Sequence, residues 1–213
     1  MMKNLRPDKA FIFRIVHRDN FDWILAHGIH CRSAAMVNPA YVDIGSPELI
    51  NKRNSRSIPI APGGTLSDYV PFYFTPRSPM LLNIKTGYNG IRHRGNEEIV
   101  ILVSSLYKVR DHALNFIFTD RHAYLQTAVF YSDFVGLSAI DWTILQCSDF
   151  KRDNDDLGKF ERYQAEALIH QHMPTDALLG VACVNEAVAG QLRAQIAVAG
   201  LALKVAVMPG WYF

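Results

Sequence analysis

Disulfides, membrane spans and the common catalytic signatures are all missing from this 213-residue sequence. Its three cysteines, Cys31, Cys147 and Cys183, lie far apart, with no CxxC pair and an odd total. That is the usage of reduced intracellular thiols and not of a secreted framework, so a cytoplasmic location is expected. No stretch approaches the ~20 apolar residues of a membrane span. The N-terminal MMKNLRPDKAFIFRIVHRDN interrupts its short apolar run at Arg14, and no small-residue cleavage site follows. A soluble protein with no membrane partner is expected. GxxxxGK[ST], GxGxxG after a strand, HExxH and GxSxG are absent, which removes the commonest phosphate cradles, zinc proteases and serine hydrolases. Nor is there a dominant sign of charge: 22 Lys and Arg against 20 Asp and Glu leave +2, which neither demands nor excludes a nucleic-acid partner.

What is present is a half-hydrophobic chain of a length suited to one domain with a real core. AFIFRIVH (10 to 17) reads as a strand, and Phe21, Ile24 and Leu25 then fall at helical spacing behind Asp19 and Asn20, with Gly28 as a stop. From Cys31 to Leu66 periodicity disappears among Asn38-Pro39, Ser46-Pro47, Pro59, Pro62, Gly63 and Gly64, and irregular segments of this length tend to be functional. Further strands are expected at Val70 to Thr75, Glu98 to Ser104, Asn115 to Thr119, Gln164 to His170, Leu178 to Val184 and Leu203 to Met208. Helical stretches fall near 104 to 113, 121 to 139 and 185 to 199. The mixture of β-β and β-α-β steps predicts an α+β domain with a mixed, mostly antiparallel sheet and flanking helices.

The eight histidines form no tight ligand set with the cysteines, so no metal is expected; His170 and His172 read either as an ion-sharing pair or as polar strand-edge residues. Glu166 is less ordinary. Alternation puts Gln164, Glu166, Leu168 and His170 on one strand face. A carboxylate there is either a solvated Glu paired with some Arg or a functional group in a cleft, and spacing alone leaves both open. Arg14, between Ile12 and Val16 on one face of its strand, equally needs an internal carboxylate or an anionic ligand.

Eight blocks carry a resemblance that spans nearly the whole chain: FRIVHRDNFDWIL (13 to 25), KR (52 to 53), GGTLSDYVPFYFTPRSPML (63 to 81), EEIVILVSS (97 to 105), FIFTDRHAY (116 to 124), IDWTILQ (140 to 146), KFERYQAEALI (159 to 169) and GWYF (210 to 213). In these the sequence resembles the DarT family of DNA ADP-ribosyltransferase toxins. The resemblance implies a single domain over 1–213 with a PARP-like ADP-ribosyltransferase fold. It implies NAD+ as co-substrate, without a metal, and transfer of ADP-ribose to thymidine in single-stranded DNA in a sequence-specific manner, blocking DNA replication. Residues 35–54 would be the NAD-covering element and 120–163 the substrate-recognition region.

Residue by residue, the resemblance implies Glu166 and Arg53 as the catalytic pair. Arg14, Ile15, Val16, Asn20, Trp23 and Arg53 would bind NAD+, and Arg77, Met80, Arg121, His122 and Tyr163 would contact DNA. It also implies a macrodomain antitoxin, DarG, as partner of a monomeric enzyme. Guanine, RNA or protein as acceptor, or a catalytically silent nucleic-acid-binding module, are the alternatives that spacing leaves standing.

Overall fold

The computed structural model describes residues 2–151 and 153–213. Strand β1 (Phe11–His17) leads through a 3-10 turn into helix α1 (Phe21–His27) and the short β2 (Ile29–His30). A long connection holding α2 (Pro47–Arg53) precedes β3 (Tyr69–Tyr73) and α3 (Pro79–Thr86). Then come β4 (Ile99–Ser105), α4 (Leu106–Asp111), β5 (Phe116–Thr119) and β6 (Phe130–Tyr131). Two short helices, α5 (Trp142–Cys147) and α6 (Lys159–Arg162), lead to β7 (Glu166–His170) and β8 (His172–Met173). Strand β9 (Gly180–Cys183), α7 (Glu186–Val198) and β10 (Lys204–Val207) finish the fold.

Eight strands form one sheet in the order β10-β9-β4-β1-β3-β7-β5-β6, and β2 and β8 make a separate ribbon. Among the described residues only β9 and β10 pair in parallel, joined by α7 as a β-α-β step requires. The expected α+β class, with a mixed and mostly antiparallel sheet, is the observed one. Strands β4 and β7, which flank the central β1 and β3, are sealed on both faces: every residue of β4 except Val103 is buried, as is every residue of β7 except His170. At the end of the chain Tyr212 stitches β4 to β9, its hydroxyl placed to donate to the carbonyls of Ile99 and Ala182.

Three local expectations are corrected. The segment 121 to 139 holds no α-helix but turns, β6 and a 3-10 stretch over Phe134–Ala139. Its polar side chains bond the main chain instead: Asp120 accepts from Val129 N, His122 from Tyr124 N and Asp133 from Gly136 N, and such bonds compete with a helix. Strand β7 begins at Glu166 and not at Gln164, because the main chain of Gln164 and Ala165 closes the turn after α6 by donating to Glu161 and Arg162. The connection from Cys31 to Leu66 is irregular except for α2, which Ser46 caps through Leu49 N with Pro47 in the first turn.

Gly28 fixes where β2 leaves α1. Its φ of 74° and ψ of −161° lie in a region that essentially only glycine occupies, and a Cβ there would meet Met173 O at 2.6 Å. Gly28→Ala is expected to lower stability by about 1–3 kcal/mol or more in urea unfolding. A variant within 0.5 kcal/mol (about the spread of neutral surface changes) would contradict this reading.

Candidate active site

Strand β1 pairs with β4 along all seven residues but with β3 through a single pair, Phe13 with Tyr73. Pro71 accounts for the parting of β1 and β3. A residue's N–H and C=O point to the same side of a strand, and proline has no N–H. Toward β1, Pro71 therefore offers only its carbonyl, and Arg14 Nη1 donates to it across 2.8 Å. The parted strands floor a cavity of about 470 Å³, walled by α1, β2, the segment before α2 and α2 itself. That volume lies within the ~300–1,000 Å³ usual for small-molecule sites.

Glu166 stands at the cavity, 2% exposed. Its Oε2 accepts from Arg53 Nη1 at 2.9 Å, its Oε1 accepts from Ala123 N at 3.1 Å, and His122 Nδ1 lies 3.7 Å away. Burial pushes the carboxyl's pKa up. The Arg53 guanidinium, His122 and the two hydrogen bonds together outweigh it and hold the value below the ordinary 4.5. Any stability this pairing contributes is complete above the ordinary carboxylate pKa and is lost as pH falls through the lowered folded value.

Burial likewise drives His122 below its ordinary 6.5, against the opposing pull of Glu166. Because Tyr124 N donates to Nδ1 at 3.1 Å, the neutral ring carries its proton on Nε2. Tyr73, the ladder partner of Glu166, also lines the cavity; burial and then the Glu166 charge push its phenol up, and its hydroxyl meets Met80 Sδ at 3.7 Å. Two cavity-lining arginines keep buried donors without a partner, Arg14 Nε and Arg53 Nη2. Orphaned guanidinium donors at a cavity suit anionic oxygens, so these residues fit a phosphate-bearing ligand.

Of the residues singled out from sequence, Arg14, Ile15, Trp23, Arg53, Met80, His122 and Glu166 all line this cavity. Val16 and Asn20 do not: Val16 is wholly buried on the opposite face of β1 from Ile15, and Asn20 spends both ends of its carboxamide on the main chain of Val42. Arg77 stacks over the Phe213 ring at 4.3 Å, and Arg121 is bound to Asp120 twice, at 3.0 and 3.1 Å. Tyr163 is corrected as a DNA contact. It is 1% exposed, packs on Phe150, and its hydroxyl accepts from Asp149 N, so no surface of it is available for stacking. Among the described residues no group of three His, Cys, Asp or Glu is placed to hold a metal. His170 packs against Tyr69 and His172 against His30, and Gln171, at φ 60°, turns the chain between them. Sequence reasoning missed Tyr73, Tyr41 and Cys31, whose place at the cavity follows from strand pairing and from the covering segment, neither of which leaves a local signal.

Comparison with known proteins places this arrangement. The family model described as DarT, an ssDNA thymidine ADP-ribosyltransferase, matches residues 13–213. A DNA ADP-ribosyl transferase of Escherichia coli O127:H6 (strain E2348/69 / EPEC) is 52% identical over 210 residues, 99% of this chain and 96% of that protein. The structure of Thermus sp. 2.9 DarT in complex with ADP-ribosylated ssDNA superposes with a TM-score of 0.90 at 31% identity, covering 98% of each chain. Thermus sp. 2.9 DarT in complex with NAD+ gives 0.86 at 31% identity, over 98% of this chain and all of the other (100%).

Removing the guanidinium leaves burial as the dominant influence on Glu166. In Arg53→Ala the Glu166 carboxyl is expected to titrate above 4.5 instead of below it, followed by carbon NMR of the glutamate side chains. An unmoved titration would show that Arg53 does not hold the charge.

Proposed function

The chain belongs to the DarT family of ssDNA thymidine ADP-ribosyltransferases, and from that membership we infer that it transfers ADP-ribose from NAD+ to a thymidine base in single-stranded DNA, releasing nicotinamide. The observation that carries the site assignment is the Arg53–Glu166 pair at 2.9 Å on the wall of the cavity of about 470 Å³. As the bond from ribose to nicotinamide breaks, the ribose carbon becomes oxocarbenium-like, and the ionised Glu166 supplies negative charge where positive charge grows. A thymine ring nitrogen attacks that carbon from the opposite side. Its proton becomes more acidic as the new bond forms and passes to Glu166, while the leaving ring carries its electron pair away as neutral nicotinamide.

Arg53 serves two purposes in this account. It keeps Glu166 ionised, and its free Nη2 reaches for NAD+ or the base edge. Arg14, Ile15 and Trp23 hold NAD+ along the parted strands, with the Arg14 Nε donor still to be used. The neutral His122 donates from Nε2 to a carbonyl of the incoming base, and Met80 packs against that base. Arg77, flat on Phe213, meets DNA phosphate; Arg121 is the weaker candidate because Asp120 and Glu161 already offset its charge.

We take residues 1–213 as one domain, with 35–54 covering NAD+ and 120–163 shaping the DNA site. We propose that it acts as a monomer. Among the described residues no helix is long and apolar enough to cross a membrane. A toxin acting on DNA in the cytoplasm, held in check by a macrodomain antitoxin of the DarG kind, is the cellular setting proposed.

The direct test is incubation with labelled NAD+ and separate pools of single-stranded DNA, RNA and protein. Label is expected in DNA alone and only in oligonucleotides containing thymidine; label in guanine-only DNA, RNA or protein would overturn the acceptor. Glu166→Ala is expected to fold and to lose about 100-fold or more in transfer rate, the scale of a removed transition-state charge interaction. Near-wild-type modification would remove Glu166 from the chemistry. With Glu166 below 4.5 and His122 below 6.5, the rate is expected to hold level as pH falls through 6.5, and to decline only at lower pH. A midpoint at or above 6.5 in the rate profile would contradict the protonation states assigned.

A further inference from the structure

Helix α2 carries Arg53, yet none of its residues is buried. With no buried apolar residue it is held largely by polar contacts, the Arg53–Glu166 pair and fastenings beyond its two ends. Beyond its C-terminus Asn54 Oδ1 accepts from the Ser67 hydroxyl, tying the helix to the turn before β3. Ahead of its N-terminus the fastening is Asn20. This residue is 1% exposed, its Nδ2 donates to Val42 O at 3.0 Å, and its Oδ1 accepts from Val42 N at 2.8 Å. The carboxamide stands in for a peptide group, pairing with one residue of the segment as a neighbouring strand would.

The neighbours of Val42 give this clasp its consequence. Tyr41, Asp43 and Ile44 all line the cavity, whereas Asn20 itself does not. The scaffold side of the clasp is firm, because Asn20 sits between β1 and α1 with Phe21, Ile24 and Leu25 buried behind it. On the segment side Ile44 packs against the core and Arg32 binds Asp43 across 3.1 Å in an exposed pair that contributes little, while the Asn20 bonds hold the main chain.

We propose that Asn20 is a positioning residue for NAD+, acting through the Val42 main chain to set the cavity wall formed by Tyr41, Asp43 and Ile44 without touching the co-substrate. The proposal rests on the NAD-dependent function given above. It separates Asn20 from the residues that meet NAD+ directly, because both polar ends of its side chain are already used.

The test is calorimetric titration of NAD+ into wild type, Asn20→Ala and Val42→Pro, beside steady-state transfer to a thymidine oligonucleotide. Asn20→Ala removes both hydrogen bonds from the scaffold side. Val42→Pro removes one donor from the segment side without disturbing the buried carboxamide site, and serves if the first variant does not fold. NAD+ affinity is expected to fall about tenfold or more in Asn20→Ala and about threefold or more in Val42→Pro, in keeping with two lost hydrogen bonds and one. KM for NAD+ should rise in step while the rate at saturating NAD+ changes by no more than about twofold. KM for DNA should not move. Wild-type affinity in the folded variants, or a loss confined to the saturating rate, would overturn the proposal. Wild type that binds NAD+ but labels no DNA would overturn the function instead and leave the affinity comparison intact.

Discussion

The structure turns on one buried ion pair whose partners come from segments 113 residues apart. Taking two charges out of water costs several kcal/mol per ion even after relaxation, so the pair persists only because its geometry is good and the spare carboxylate oxygen has its own donor, Ala123 N. Around it the fold supplies what each partner lacks. Strand β7, buried on both faces, fixes Glu166; the clasps at Val42 and Asn54 fix the helix that presents Arg53. The pair in turn is the contact that draws α2 onto the sheet. A co-substrate that carries phosphates and develops positive charge on reaction can use both members at once, which an inert structural ion pair would not need.

The second constraint is the parting of β1 from β3. A sheet that paired there throughout would have no floor for a cavity. A single proline, Pro71, removes the donor that a full ladder would use, and Arg14 takes the remaining carbonyl. Sequence and site are joined here by one missing hydrogen, and the same guanidinium keeps a donor in reserve.

Strands β1, β4, β5 and β9 and helices α1 and α7 were legible in the sequence because their periodicity is sustained and their ends are marked. Helix α2 escaped, although Ser46, Pro47 and the basic Lys52 and Arg53 are proper start and stop signals. With no residue buried it has no apolar stripe, and periodicity cannot find a helix that packs through polar clasps. The segment after β5 failed in the opposite way: apolar residues at plausible spacing suggested a helix, and local side-chain bonds from Asp120, His122 and Asp133 overrode it. At the site, spacing could not decide between a solvated Glu166 and a functional one, since the deciding contact with Arg53 is long-range. The family resemblance brought forward seven residues that line the cavity, the catalytic pair among them, but it could not separate Asn20, which acts at one remove, or Tyr163, which lies in the core.

If Arg53 and Glu166 work as one unit, their losses must not multiply. The decisive measurement is a double-mutant cycle on kcat/KM for transfer to a thymidine oligonucleotide, using Arg53→Ala, Glu166→Ala and the double variant. The account predicts a double variant no slower than the slower single one, because either change alone already disables the unit. A double variant whose defect equals the product of the two single defects would show independent residues and contradict it.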